Sequence, residues 1–220
     1  MEAAGEPLAN LTLTEFTERL ASDAPVPGGG SAAAIAGSFA ASLLAMVARL
    51  SRGRPKYANF EATHERALQA AERARQRLLT LADDDARAYG RFSTALKLPK
   101  ETDEEQRQRN VATQAAARAA AEVPLAVLRE CAMLLVEIEG MAGRSNVNAA
   151  SDLEVAGRLA AAAARGAAAN VLVNLPHVGD QRFVGGSTAE VGDLLHSVER
   201  QMLQVAQRVA GGGLREPQQE

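Results

Sequence analysis

The chain has 220 residues, 47% of them apolar and only 3% aromatic, with a formal net charge of −3. That length supports one good-sized core without a composition break for a second domain, and the acidic balance gives no electrostatic basis for binding nucleic acid. The single cysteine, Cys131, excludes an internal disulfide and points to a reducing, cytoplasmic setting.

The first residues, Met1 to Glu6, lack the basic-then-apolar pattern of a signal peptide. Abundant alanine predicts closely packed helices rather than sheets. The first helix is short, over 14–21, with Thr12 and Glu15 at the spacing of a capping box. The second covers 31–52 and stops at Gly53-Arg54-Pro55. No charged side chain occurs from Ala24 to Ala48, a stretch long enough to be weighed as a membrane span. Its content is mostly Ala, Gly and Ser, so it reads as a buried central helix and no membrane contact is expected. A third helix is predicted over 60–96, ending before Pro99, and a fourth over 103–139, bent by Pro124. The fifth spans 149–174 and is closed by Pro176. The sixth starts at Ser187, with Glu190 completing a capping box, and fades into Gly211-Gly212-Gly213. A polar tail over 214–220 is expected to fray. No alternating run long enough for a strand is present. The expected fold is all-α, an up-and-down bundle of about five to six helices forming a single domain over 1–220.

Several groups of residues carry possible chemistry. Pro25-Val26-Pro27-Gly28-Gly29-Gly30-Ser31 leads straight into the second helix. Its glycines are free to take positive φ and turn their N–H groups toward one point, where the helix N-terminus favours an anion. The loop follows no strand and lacks the Gly-Lys-Ser/Thr ending of a nucleotide-binding loop. On the third helix, Ala71, Leu78, Asp85 and Phe92 form one row of the inward stripe, and Ala74, Leu81, Ala88 and Ala95 form the other. Asp85 therefore falls where an apolar residue belongs, whereas Asp83 and Asp84 fall outside. A carboxylate there is either half of a structural salt bridge or a group kept for proton transfer.

Lys56 and Tyr57 lie in the loop after the uncharged helix; Lys56 is either merely solvated or placed to bind an acidic ligand or donate a proton. The segment Ser145-Asn146-Val147-Asn148-Ala149-Ala150-Ser151-Asp152 is rich in capping residues, yet its two asparagines offer more amide groups than a cap needs. Asn170 and Asn174 share a face of the fifth helix, and such amides suit a hydrogen-bonding heteroaromatic ring. His64, His177 and His196 show no metal-ligand spacing, so no metal site is expected. Cys131 lies in an apolar helix and reads as packing.

The order of these motifs resembles the cyclodeaminase/cyclohydrolase family. The resemblance rests on Pro25-x-Pro27-Gly28-Gly29-Gly30-Ser31, Lys56-Tyr57, Asp85-Ala86-x-Ala88-Tyr89, Leu98-Pro99-Lys100, Asn146-x-Asn148-x-x-Ser151-Asp152 and Asn170-Val171-x-Val173-Asn174. It covers about 13–208, the core of the domain. The chain departs from the family pattern in Arg54-Pro55-Lys56-Tyr57, where a run of lysines is common, and in Ser145, where glycine is usual.

The resemblance implies an all-α homodimer with a folate site near the subunit interface. The implied substrate is a tetrahydrofolate derivative, with polyglutamylation left open, and no prosthetic group is expected. In cyclohydrolase chemistry water adds to the methenyl cation and the C–N5 bond breaks; in cyclodeaminase chemistry N10 attacks a formimino carbon and ammonia leaves. The catalytic candidates are Asp85, stabilising the cation and accepting a proton, and Lys56, protonating the leaving nitrogen or holding an oxygen. Pro27, Gly28, Gly29, Gly30 and Ser31 are candidates for a substrate carboxylate or pterin edge, as are Tyr57, Asn146, Asn148, Asp152 and Asn170 for substrate binding. The expected reaction is the cyclohydrolase, because no formiminotransferase domain accompanies the sequence. The alternatives are the cyclodeaminase and a non-catalytic folate-binding or dimerising helical protein.

Overall fold

The computed structural model describes residues 6–215, so the signal-peptide reading of the first five residues and the end of the tail lie outside it. The described residues form six α-helices and four short 3-10 turns, with no strand: α1 (Leu13–Leu20), α2 (Gly29–Ser51), α3 (Glu61–Leu96), α4 (Asp103–Met141), α5 (Ala150–Asn174) and α6 (Gln181–Gly211). Short connections make sequential helices antiparallel neighbours. On α2, Gly30 faces Asp85 and Gly37 faces Leu78, so α3 descends beside it; Gly29 faces Asn170 and Ala33 faces Gly166, so α5 descends on its other side. α4 closes the four-helix core opposite α2, and Cys131 from it reaches Gly37. α6 lies outside this core along α4 and α5, clamped by Arg129 to Glu190 and by Arg165 to Glu199.

Small side chains allow the close packing. Ala34, Ala40, Ala41, Ala45 and Ala48 of α2 are fully buried, and Leu44, Leu78, Leu128, Leu135 and Ile138 fill the space between helices. α2 is long and apolar enough to cross a membrane, with a mean hydropathy of 1.8, but 67% of that window is buried inside the bundle. Burial among α3, α4 and α5 accounts for the composition of its inner face. The α3 stripe is as the heptad rows predict: Ala71, Leu78 and Phe92, and Ala74, Leu81, Ala88 and Ala95, are all buried.

The ends of the helices follow local chemistry. Thr12 and Glu15 form the expected capping box at α1, and Thr102 with Glu105 forms a second at α4 that sequence reading did not single out. The start of α6 differs from expectation. It begins at Gln181, where the Asp180 carboxylate accepts the Arg182 and Phe183 amides at 3.0 and 3.1 Å. Ser187 is instead a buried mid-helix residue, and Glu190 binds Arg129. Phe183 and Val184 pack against the core and carry the helix across Gly185-Gly186, overriding the weak local propensity. The expected fraying also stops short of Arg215, whose amide donates to the Gly143 carbonyl at 2.7 Å and whose guanidinium binds Glu139.

α4 runs without interruption through Pro124, which lacks the N–H that would bond the Ala120 carbonyl. Asn174 supplies the missing donor: its Nδ2 lies 3.0 Å from the Ala120 oxygen and 2.8 Å from the Asn170 oxygen. Asn174 is thus held by a structural task. Asn174→Ala leaves that carbonyl unpaired and is expected to cost about 1–2 kcal/mol, read as a lower urea midpoint with an unchanged m-value.

Candidate active site

At the upper end of the bundle the chain enters α2 through a buried Pro27 and through Gly28, which caps the helix with φ −124° and ψ −159°. None of Gly28, Gly29 and Gly30 takes positive φ; the described residues that do are Gly53, Gly143 and Gly212. The expected left-handed nest is therefore not what the glycines provide. What matters is the missing Cβ: on Gly30 it would stand 2.5 Å from Asp85 Cγ and 2.7 Å from its Oδ2. The carboxylate of α3 occupies the place where a side chain of α2 would be.

The anion facing the N-terminus of α2 is thus the chain's own Asp85. The Ser31 hydroxyl lies 2.9 Å from Asp85 Oδ2 and 3.0 Å from the Ala82 carbonyl, so one hydroxyl proton serves two acceptors. The Ser31 backbone N–H also favours the ionised carboxylate. Burial holds the Asp85 pKa above the ordinary aspartate value of 3.8, and the Ser31 donors pull it partly back. No cation among the described residues contributes to this balance. Asp84 takes Arg77 and Arg87, and Asp83 accepts the Leu8 amide at 2.7 Å. The salt-bridge explanation of Asp85 therefore has no partner, while both neighbours are accounted for.

A cleft of about 1090 Å³ opens beside this point, walled by Pro25 and Val26, by Ala86 and Tyr89 of α3, and by Ala112 and Ala116 of α4. Ala86 and Tyr89 flank Asp85 along the helix, although Asp85 itself is not in the wall. The alanine wall of α4 escaped sequence reading; the spacing of Ala112, Ala115, Ala116 and Ala119 is the signal that could have revealed it. The part played by the Ser31 hydroxyl, distinct from that of the loop amides, was missed too. Asn170 completes the upper group: its Nδ2 donates to the Gly166 carbonyl at 2.9 Å and stands 3.5 Å from where a Gly29 Cβ would be.

The other candidates sit at the lower end. Lys56 is exposed on the 3-10 turn Pro55–Phe60, with Nζ 5.5 Å from the centroid of the buried Tyr57 ring. The Tyr57 hydroxyl accepts the Val147 amide at 3.2 Å, joining this turn to the α4–α5 connection. Asn146 is buried and held by three bonds: its backbone N–H donates to Ser51 Oγ at 2.8 Å, its Nδ2 to the Leu50 carbonyl at 3.3 Å, and its Oδ1 accepts the Asn148 backbone N–H at 3.1 Å. His64, considered in the sequence only as a metal ligand, donates from Nε2 to the Arg144 carbonyl at 2.7 Å and anchors the same connection. Gly143 carries the positive φ of that turn, 75°, which leaves Ser145 free of any need for glycine. Asn148 is exposed and Asp152 half-buried in the first turn of α5.

The two groups are separated by the length of α2. From Gly29 to Ser51 the helix rises about 33 Å at ~1.5 Å per residue. The chain brings Pro27, Gly28, Gly29, Gly30, Ser31, Asp85 and Asn170 together at one end, and Lys56, Tyr57, Asn146, Asn148 and Asp152 at the other. Gly30→Ala pushes a methyl group into the Asp85 carboxylate and is expected to destabilise by about 1–3 kcal/mol, measured as a fall in Tm, while Gly29→Ala, in ordinary contact distance, costs much less.

Comparison with known proteins agrees with this architecture. Residues 12–193 match the family model described as formiminotransferase-cyclodeaminase. The chain is 40% identical over 186 residues to a methenyltetrahydrofolate cyclohydrolase of Methylorubrum extorquens, covering 84% of this chain and 89% of that one. It is 33% identical over 202 residues to the formimidoyltransferase-cyclodeaminase of Sus scrofa, covering 92% of this chain but 37% of that longer protein. The crystal structure of formiminotetrahydrofolate cyclodeaminase from Thermotoga maritima superposes with a TM-score of 0.84 at 31% identity, over 93% of this chain and 98% of the other. With the match extending over most of the chain and over the bundle itself, the chain belongs to the formiminotransferase-cyclodeaminase family.

Proposed function

We propose that this protein is a methenyltetrahydrofolate cyclohydrolase, hydrolysing 5,10-methenyltetrahydrofolate to 10-formyltetrahydrofolate. The observation that carries the reading is Asp85: a half-buried carboxylate with no cationic partner among the described residues, held by Ser31 beside a cleft of substrate size. An uncompensated negative charge complements a substrate whose positive charge is spread over N5, the methenyl carbon and N10. The similarity to the Methylorubrum extorquens cyclohydrolase, over 89% of that chain, favours this reaction.

In the reaction, water attacks the methenyl carbon as Asp85 accepts one of its protons. The C–N5 bond then breaks, with its electron pair going to N5. The remaining hydroxyl proton is lost as the formyl C=O forms, N5 acquires a proton, and one proton is released overall. The raised Asp85 pKa makes its carboxylate a better base than that of an exposed aspartate. Arg91 on the cleft wall suits a glutamate carboxylate of the substrate, polyglutamylated forms included.

Formiminotetrahydrofolate cyclodeaminase is the second reading, favoured by the Thermotoga maritima likeness. Asp85 serves it equally, because both reactions pass through a tetrahedral carbon between N5 and N10. The protein acts as a homodimer in the cytoplasm, a reading supported by the uncharged, partly exposed face of α2 and by the inert Cys131, whose thiol burial pushes up to about 12. A purely non-catalytic role is disfavoured, since an apolar residue at position 85 would serve a scaffold better.

The test is the loss of methenyltetrahydrofolate absorbance with purified protein. Asp85→Asn is expected to lower kcat by about 10²-fold or more with little change in folate binding; unchanged turnover removes Asp85 from the mechanism. The native enzyme should lose activity on acidification with an apparent pKa above 3.8, and the Asn variant should lack that limb.

Stability carries the opposite sign. A raised folded-state pKa means that the ionised form is the costly one, so the favourable contribution is full below the unfolded pKa and lost as pH rises through the folded pKa. Asp85→Asn is accordingly expected to raise Tm by ~2 °C at neutral pH, with the gain shrinking under acid conditions.

A further inference from the structure

The Ser31 side chain is fully buried and out of reach of a ligand in the cleft, although the sequence places it among the substrate-binding candidates. Its hydroxyl instead stands between two acceptors at nearly equal range, Asp85 Oδ2 at 2.9 Å and the Ala82 carbonyl at 3.0 Å. A serine hydroxyl has one proton to give, so the two bonds are alternatives and not a pair. Gly30 makes the arrangement possible, because a side chain there would occupy the place of the carboxylate.

The two carboxylate oxygens are not equivalent. Oδ2 is held by Ser31, whereas Oδ1 accepts no well-formed hydrogen bond from the described residues. Nor is Oδ1 among their sealed polar atoms without a partner, which belong to His64, Glu65, Gln201 and Arg215, so it keeps access to solvent. Along α3 the neighbouring charges are engaged elsewhere, Asp84 with Arg87 and Asp83 with the Leu8 amide. Among the described residues no charged group of α2, α4 or α5 bears on the carboxylate. Ser31 is therefore the one side chain that governs it.

We propose that Ser31 is a positioning residue for the reaction: its hydroxyl fixes Asp85 through Oδ2, leaves Oδ1 to take the proton of the attacking water, and turns to the Ala82 carbonyl once that proton is in place. The inference rests on the folate reading above. With Asp85 ionised, the hydroxyl donates to Oδ2, because a bond to a charged acceptor is about twice as strong as one to a neutral carbonyl. As the water O–H breaks, a new O–H forms at Oδ1 and the carboxylate becomes a carboxylic acid. Oδ2 is then a neutral acceptor of the same kind as the Ala82 oxygen. The hydroxyl rotates about its C–O bond, and both protonation states leave it paired. Ser31 passes on no proton of its own.

The deciding measurement is the pH dependence of turnover in Ser31→Ala, a change to a smaller residue of high helix propensity that the first turn of α2 accommodates. Without the hydroxyl the ionised carboxylate loses its charge-assisted bond, so the acid limb should move up by about one pH unit. Loss of the fixed Oδ1 orientation should lower kcat at neutral pH about tenfold, with KM within about twofold of native. Ser31→Cys keeps the shape and a weaker donor, and should fall between the two. A limb that stays in place overturns the proposal. A rise in KM of about tenfold with kcat unchanged also overturns it, since Ser31 would then be a substrate contact.

A second readout needs no activity. The side-chain carboxyl resonance of Asp85 in a carbon-13 NMR titration, assigned by its absence in Asp85→Asn, should have a midpoint about one pH unit higher in Ser31→Ala than in the native protein. Equal midpoints overturn the proposal even where turnover differs. A native protein inert toward methenyltetrahydrofolate defeats the cyclohydrolase reading, while the two midpoints still decide whether Ser31 governs Asp85.

Discussion

The contact between Asp85 and the first turn of α2 is the constraint around which the rest of the molecule is arranged. A carboxylate on the inward stripe of a bundle helix is unfavourable unless donors meet it. Here the donor comes from a helix N-terminus, where the Ser31 hydroxyl meets the carboxylate and the macrodipole is positive. That approach demands a residue without a side chain at position 30. It also demands that α2 begin at that height against α3, which fixes the register of the two central helices. The pairing satisfies the carboxylate without neutralising it: an arginine in place of Ser31's donors would give a tighter structural bridge and a poorer base.

The remainder of the bundle supports this register with small side chains and a few specific polar bonds. Gly37 of α2 takes Leu78 and Cys131 into contact, so α2, α3 and α4 meet closely one layer below the site. Pro124 interrupts the hydrogen-bond ladder of α4, and Asn174 repairs it from α5, fixing the height of α5 against α4. Asn170, one turn earlier, then stands beside Gly29. The polar residues of the upper end are thus tied to one another through the helices, and a shift in any one helix would open the Asp85 contact.

Much of this was legible in the sequence because it depends on periodicity. The rows Ala71-Leu78-Asp85-Phe92 and Ala74-Leu81-Ala88-Ala95 placed the carboxylate on the inward stripe, and the structure buries every apolar member of both rows. What periodicity does not carry is the relation between elements distant in the chain. The glycine run reads equally well as a left-handed nest or as room for a neighbour, and only the packing of α3 decides for the second at Gly30. Asn146 reads as a spare amide until its bonds to Ser51 and Leu50 are seen. Ser187 and Glu190 have the spacing of a cap, but Asp180 precedes them and Phe183 packs inward, so the helix begins earlier. The separation of Lys56 from Asp85 follows from helix rise alone, yet a list of motifs in order does not reveal that the order runs from one end of a helix to the other.

The composition of α2 has a physical reason at its inner face and at its first turn. Its inner face abuts α3, α4 and α5 so closely that alanine and glycine alternate with few large residues; a charge there would be buried without a partner. Its outer face carries Ala32, Ala36, Phe39, Leu43, Met46 and Leu50, all partly or well exposed and none charged. Its N-terminal turn must offer bare backbone and one hydroxyl to a carboxylate. The inner face and the first turn of α2 thus each exclude charged side chains. Core packing alone leaves the outer face free to carry lysine or glutamate at positions 39, 43 and 46, yet it carries none there, so the uncharged run extends past what the interior of the bundle requires.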